Sequence, residues 1–152
     1  MIAYLDTSAL VKRYYTESGS TWVHDLFQPE NVLVTSKVAY AELLAALARK
    51  RREKEITEAA FVRAVESFQQ EWKEFVVAEV TESVFTDLLS LVTRHPLRGF
   101  EAIHLCTALW FRKRLKTDVL FACADRVLLA AAEAEGFEVQ NPEHLDNPTT
   151  KG

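Results

Sequence analysis

Short apolar runs alternate along the chain with longer segments in which apolar residues recur at helical spacing. The short runs are typical of buried strands. Predicted strands cover residues 2–5, 32–34, 75–80, 119–122 and 137–139. Capping residues such as Thr57 and Gly136 bound the longer segments, which predicts helices there. Predicted helices cover residues 7–15, 20–28, 36–48, 57–72, 81–94, 100–115 and 126–135.

Strands that alternate with helices indicate the α/β fold class with a mostly parallel sheet. The chain has 152 residues, which is the size of one domain. We place that domain at residues 1–140, because no linker or repeat interrupts the pattern there. Residues 141–152 include Pro142 and Pro148 and are expected to form a loose C-terminal tail.

Composition narrows the class of protein without identifying it. Apolar residues make up 49% and charged residues 26% of the chain, which is ordinary for a globular protein. No stretch approaches the roughly 20 apolar residues of a membrane span, and no secretory leader is evident. Two cysteines and four glycines predict neither a disulfide scaffold nor a phosphate-binding glycine loop. We therefore expect a cytoplasmic protein that does not contact membranes.

The charge is uneven, although the net value is only −4. Half of the basic residues lie in two clusters, at residues 49–54 and 112–116. Each cluster suits the end of a solvated helix, where cations stabilise the negative pole of the dipole. Alternatively, the clusters hold the phosphates of a nucleic acid. The sequence alone leaves both interpretations open.

Four carboxylates interrupt the most apolar segments of the chain. Asp6 and Asp125 follow predicted strands, where a parallel sheet forms its crevice, and Glu42 and Glu101 lie in helices that are otherwise apolar. Alone, Asp6 or Asp125 would be a helix cap, and Glu42 could face solvent. If the four meet, each close pair repels by about 4 kcal/mol at 4 Å, so that some protonate or a divalent cation binds them. Oxygen-only sites suit Mg²⁺ or Mn²⁺.

Four sequence blocks carry a family resemblance. Residues 4–12, 35–42, 97–105 and 124–128 look like the signature blocks of the PIN-domain nucleases, and their order resembles that of VapC-type toxins. The resemblance implies a three-layer fold with a central parallel sheet between helices. It also implies an endoribonuclease that depends on Mg²⁺ or Mn²⁺ and shuts down translation. A cognate antitoxin, often with a DNA-binding part, and a homodimeric toxin are implied as partners, with RNA as the substrate.

The resemblance also assigns roles to individual residues. Asp6 would be a direct metal ligand, Glu42 would bind the metal or its waters, and Asp125 would complete the pocket. Glu101 stands where the family usually has an aspartate ligand, and it is one methylene longer. The hydroxyl of Thr7 would orient Asp6 or a water on the metal. A water activated by the metal would then cut the phosphodiester in line, and the basic clusters would hold the RNA backbone near the acidic pocket.

Two further residues and two alternative functions also follow from the sequence. Cys123 replaces a small hydroxyl residue that is usual two positions before the last acid, and His104 is expected to be a structural histidine that bonds a neighbouring group. Because Glu101 departs from the family pattern, a PIN-fold protein that binds antitoxin or RNA without cleavage is the main alternative. A third reading makes Asp6 the nucleophile of an aspartyl-phosphate hydrolase, but such enzymes generally need a second aspartate where this chain has Ser8.

Overall fold

The central element is a sheet of five parallel strands. The computed structural model describes residues 1–145. The strands are β1 (Ile2–Leu5), β2 (Val32–Ser36), β3 (Val76–Ala78), β4 (Leu120–Ala122) and β5 (Glu138–Gln140). They are ordered β3-β2-β1-β4-β5, and every neighbouring pair is parallel. The chain therefore builds outward from β1 in one direction and then returns to its other side, which places the crevice of the sheet between the carboxyl ends of β1 and β4.

Helices cover both faces of this sheet. The α-helices are α1 (Thr7–Leu10), α2 (Ser20–Leu26), α3 (Val38–Arg52), α4 (Glu58–Glu71), α5 (Leu88–Arg94), α6 (Gly99–Leu115) and α7 (Arg126–Ala134). Shorter 3-10 helices lie at Val11–Arg13, Trp72–Glu74, Val84–Asp87 and Pro142–His144.

Two hydrophobic cores lie on opposite faces of the sheet. Successive residues of a strand point to opposite faces, so Tyr4 contributes to the core beneath α5, α6 and α7, whereas Ala3 and Leu5 contribute to the core beneath α1 to α4. The register of β1 sets Tyr4 beside Val34 of β2 and Phe121 of β4. The predicted α/β class and three-layer arrangement are confirmed.

Several helix boundaries differ from the predicted ones. The first helix ends at Leu10 and continues as a 3-10 turn. Strand β2 extends to Ser36, which pairs with Ala78 of β3, so α3 begins at Val38. The helix expected from Thr81 begins as a 3-10 helix at Val84 and becomes α-helical at Leu88. The predicted cap at Thr57 is confirmed, since its side chain accepts a hydrogen bond from the amide of Ala60 at 3.1 Å.

The first residues of the expected tail pack against the domain. Asn141 and Pro142 are buried, and Glu143 forms an ion pair with Lys12 at 2.9 Å. A Cβ atom on Gly19 would lie 2.7 Å from that of Pro142, so only glycine allows this approach. Residues 141–145 thus differ from a loose tail, while the rest of the predicted tail, residues 146–152, lies outside the described residues. No helix within residues 1–145 is long and apolar enough to cross a membrane.

Candidate active site

One cleft brings the four predicted carboxylates together. Asp6 follows β1 directly, Asp125 lies just beyond β4, Glu42 lies on α3 and Glu101 is in the first turn of α6. All four, and Thr7, line a single cleft of about 990 Å³. The cleft occupies the crevice that the strand order creates, because two of its acids follow the neighbouring strands β1 and β4. The side chains are therefore not scattered over the surface.

Asp6 is the most buried of the four acids, with 4% of its surface exposed. Its oxygens accept hydrogen bonds from the hydroxyl of Ser8 at 2.7 and 2.9 Å, and Oδ1 also accepts one from the amide of Ala9 at 3.0 Å. The thiol of Cys123 lies 3.3 Å from Oδ2. Burial raises the pKa of Asp6, and the charge of His104 together with these hydrogen bonds offsets part of that effect. A cation near Asp6 would therefore stabilise its ionised form.

Three of the acids also cap helices. Asp6 caps α1 through Ala9, and Asp125 caps α7 by accepting a hydrogen bond from the amide of Leu128 at 2.9 Å. Oε2 of Glu101 accepts one from the amide of Arg98 at 2.8 Å, at the start of α6. The helix-cap reading of Asp6 and Asp125 is thus correct, and it coexists with their place in the cleft. The caps of Asp125 and Glu101 each engage only one carboxylate oxygen.

Glu42 is held by a network rather than by a cap. Its Oε1 accepts hydrogen bonds from Thr7 at 2.8 Å and from Nε2 of His104 at 2.7 Å. Nδ1 of His104 lies 2.7 Å from the hydroxyl of Tyr4, which is fully buried. Burial acts to raise the pKa of Glu42, but the hydrogen bonds and the charge of His104 outweigh it, and the net shift is downward. The interactions of Glu42 therefore favour its ionised form.

The chemistry of these donors fits a hard divalent cation. They are carboxylate oxygens, which Mg²⁺ and Mn²⁺ prefer. Within residues 1–145, no three His, Cys, Asp or Glu side chains are close enough to form a ready-made metal cage. Mg²⁺ does not need such a cage, because it usually keeps several waters and binds only one or two carboxylates. The residues that could hold the ion are Asp6, Glu42, Glu101 and Asp125.

Only one of the two basic clusters lies at the cleft. Arg49, Lys50 and Arg52, from the end of α3, line it together with Arg98. The second cluster, at residues 112–116, does not. The expectation that both clusters lie near the acidic pocket is therefore wrong for the second. The reason is the length of α6: Glu101 is in its first turn, and Arg112 lies about 16 Å further along the helix axis.

Sequence reasoning placed neither Ser8 nor Lys12 in the site, and both residues shape it. The hydroxyl of Ser8 bonds Asp6 and accepts a hydrogen bond from the amide of Ala124 at 2.9 Å, so it joins the ends of β1 and β4. Lys12 also lines the cleft, with its side chain only 2% exposed between Glu17 and Glu143. A hydroxyl two residues after Asp6 was the available signal for Ser8. A lysine directly after the apolar run at residues 9–11 was the signal for Lys12.

Comparisons with known proteins agree with this geometry. The sequence model of the PIN domain family matches residues 3–122. Ribonuclease VapC49 of Mycobacterium tuberculosis (strain ATCC 25618 / H37Rv) is 33% identical over 145 residues, which cover 95% of this chain and 98% of that protein. Solved structures share the fold as well. A toxin-antitoxin complex from Klebsiella pneumoniae gives a TM-score of 0.60 at 13% identity, covering 92% of this chain and 97% of the matched chain. M. tuberculosis VapC20, a sarcin-ricin loop cleaving toxin, gives a TM-score of 0.61 at 19% identity, and the match covers 93% of this chain and 100% of that one.

Proposed function

This chain belongs to the PIN domain family and resembles its VapC-type ribonucleases along nearly its whole length, and we propose from this premise that it is a metal-dependent endoribonuclease. One observation carries the proposal. Four carboxylates from four separate segments line one cleft at the carboxyl edge of a parallel sheet. Helix capping accounts for the placement of Asp6, Asp125 and Glu101 but not for that of Glu42, and it does not require that all four acids line the same cleft.

Asp6, Glu101 and Asp125 are the proposed metal ligands, one or two of them bound to the ion directly and the rest through its waters, and Glu42 binds the metal or its waters. Bound Mg²⁺ or Mn²⁺ would supply an activated water and stabilise the charge that develops on the phosphate. The chain's own residues position that chemistry. Ser8 fixes the carboxylate of Asp6, while Thr7 and His104 fix that of Glu42. Cleavage would leave a 5′-phosphate and a 3′-hydroxyl.

The proposal extends to partners. The relative VapC49 is named a ribonuclease, and VapC20 is a toxin that cleaves the sarcin-ricin loop, which supports RNA as the substrate here. The Klebsiella structure is a toxin-antitoxin complex, which supports a cognate antitoxin for this chain. We propose that the protein is the toxin of such a pair, that it inhibits translation in the cytoplasm, and that it acts as a homodimer.

A second candidate function is binding without cleavage. Its specific support is Glu101, whose carboxylate already accepts a hydrogen bond from the amide of Arg98. If that cap keeps Glu101 from the metal, the cleft could engage RNA or antitoxin without cutting RNA.

Replacement of Asp6 by Asn tests the assignment. We expect the wild-type protein to cleave RNA with Mg²⁺ or Mn²⁺ and to stop when EDTA is added, and we expect Asp6→Asn to abolish cleavage and relieve growth arrest. Full chelator-sensitive activity in Asp6→Asn would mean that Asp6 is not a ligand. RNA binding by the wild-type protein without cleavage, at any concentration of either metal, would favour the second candidate.

The same variant provides its own control for folding. Asparagine caps helices as well as aspartate does. Because burial raises the pKa of Asp6, its contribution to stability is complete below the unfolded pKa of about 4 and is lost as the pH rises through the folded value. The uncharged Asp6→Asn avoids this loss. We therefore expect the metal-free variant to melt no lower than wild type at neutral pH, so that lost cleavage cannot be ascribed to unfolding.

A further inference from the structure

We propose that Tyr4 and His104 are positioning residues that hold the carboxylate of Glu42 in place, an inference that rests on the proposed function. The hydroxyl of Tyr4 lies 2.7 Å from Nδ1 of His104, and Nε2 of His104 lies 2.7 Å from Oε1 of Glu42. The three side chains form one hydrogen-bonded chain that begins in the hydrophobic core and ends in the cleft. They come from β1, α6 and α3.

The donors and acceptors of this chain match in only one neutral arrangement. A carboxylate can only accept, so Nε2 of His104 must carry the proton that points to Glu42. In a neutral ring Nδ1 is then an acceptor, and the hydroxyl of Tyr4 donates to it. In the neutral ring Tyr4 thereby selects the tautomer of His104 that can bond Glu42; in the protonated ring Nδ1 donates to the hydroxyl of Tyr4 instead, and the two side chains stay bonded. A hydrogen bond to one ring nitrogen commonly sets the role of the other in this way.

The inner end of the chain is fixed by packing. Tyr4 is fully buried. Its ring stacks on that of Phe121, with the ring centroids 5.3 Å apart and the ring planes 6° from parallel. It meets the ring of His104 edge-on, with the centroids 5.9 Å apart. His104 is only 3% exposed. The outer end is different, because the side chain of Glu42 is 29% exposed and has three rotatable bonds. Because the donor is rigid, it reduces the number of conformations that the long, partly solvated carboxylate of Glu42 explores.

The bonds to Glu42 converge on one atom. Thr7 and His104 both donate to Oε1, and neither bond uses Oε2. Tyr4 does not line the cleft, and His104, which does, directs its Nε2 to Glu42. Their role is to fix one oxygen of Glu42, so that the carboxylate keeps the orientation that metal or water binding requires. Such supporting interactions around metal ligands typically contribute tenfold to hundredfold to affinity or activity.

The test compares two Tyr→Phe variants. Tyr4→Phe removes the donor to His104 and keeps the ring. Tyr14→Phe is the matched control, because the hydroxyl of Tyr14 is buried without a hydrogen-bond partner in the described part of the chain. We expect Tyr4→Phe to lower kcat for RNA cleavage and the affinity for Mn²⁺ measured by calorimetry by about tenfold to a hundredfold, with the KM for RNA unchanged. Tyr14→Phe should leave all three at the wild-type values.

Two further variants separate positioning from packing. His104→Gln can still present an amide donor to Glu42, whereas His104→Leu cannot, so the first should retain much more activity than the second. In a Glu42→Gln background, Tyr4→Phe should have no additional effect on kcat, because the carboxylate through which it acts is gone.

The outcomes that contradict the inference differ from those that contradict the proposed function. If wild type cleaves RNA and Tyr4→Phe matches Tyr14→Phe in kcat and Mn²⁺ affinity, the inference is wrong and the proposed function stands. An additive effect of Tyr4→Phe in the Glu42→Gln background would also overturn it. If the wild-type protein neither binds Mn²⁺ nor cleaves RNA, both are wrong.

Discussion

At the scale of single residues, the proposed function gives Glu101 two tasks that need different properties. As a cap of α6 it needs only an oxygen acceptor that reaches the amide of Arg98, which lies 2.8 Å away. As a metal ligand it needs a negative charge. Glutamate and glutamine both perform the first task at the third helical position, but only glutamate performs the second.

Glu101→Gln should therefore separate the two tasks. We expect it to keep the free energy of unfolding within about 0.5 kcal/mol of wild type, because the cap survives. We expect metal-dependent RNA cleavage to fall at least about tenfold, because a charged ligand is lost. Glu101→Asp is the complementary variant: it keeps the charge but shortens the reach, and should retain more cleavage while losing about 1 kcal/mol of stability. Wild-type cleavage by Glu101→Gln would show that Glu101 is only a cap.

The residue scale also shows how far sequence reasoning reaches into the site. Acids in apolar segments stand out in a sequence, so Asp6, Glu42, Glu101 and Asp125 could be found before the cleft that they line. For Ser8 the sequence shows a hydroxyl two residues after Asp6, but not the role of that hydroxyl in joining β1 to β4. That role depends on a hydrogen bond from the amide of Ala124, which is 116 positions away, and no local pattern of apolar and polar residues encodes that contact.

At the scale of elements, Lys12 joins the start of the chain to the turn at Pro142–His144, which is distant in sequence. It lies in the 3-10 helix after α1, and its Nζ contacts Glu17 at 3.0 Å and Glu143 at 2.9 Å. Burial acts to lower the pKa of Lys12, but the hydrogen bonds to both glutamates outweigh it and the net shift is upward. Its pairing thus contributes to stability at neutral pH, and the contribution is lost only as the pH rises through this raised pKa.

Lys12→Met should destabilise the protein, because it leaves two glutamates without their shared cation. We expect a loss of about 1–3 kcal/mol in urea denaturation at neutral pH, below the value for a wholly buried pair because both glutamates are partly exposed. Lys37→Met is the matched control. Its ion pair with Glu79 is 3.4 Å long and largely exposed, so its loss should cost less than about 1 kcal/mol. Equal losses in the two variants would contradict a special role for Lys12.

Elements also differ in how well the sequence predicts them. All five strands were expected, because short apolar runs between helical segments leave few alternatives. The boundaries of the elements were harder to predict. Strand β2 extends to Ser36 because Ser36 pairs with Ala78 of β3. The turn at Pro142–His144 packs closely against Gly19 and forms an ion pair with Lys12. Both features depend on tertiary contacts, which a local pattern does not contain.

At the scale of the whole molecule, the distribution of charge matters more than its sum. The net charge is −4, yet Arg49, Lys50, Arg52 and Arg98 border the cleft that holds the acids. A polyanion could bind this rim through its phosphates while the acidic centre faces one phosphodiester. The cluster at residues 112–116 engages other partners. Lys113 pairs with Asp87, and the guanidinium of Arg112 lies over the ring of Phe137.

The two clusters therefore provide a direct comparison. In the Asp6→Asn background, which should bind RNA without cutting it, we expect Arg49→Gln with Arg52→Gln to weaken binding to single-stranded RNA. If each arginine neutralises one phosphate, the slope of log K against log salt should become shallower by about 1.4, since each contact to a single strand contributes roughly 0.7. Lys113→Gln with Arg114→Gln removes the same net charge at the far end of α6, and it should change neither the affinity for RNA nor the salt slope. Equal weakening in both pairs would mean that RNA responds to total charge rather than to the rim, and no change in either pair would mean that other residues bind the backbone.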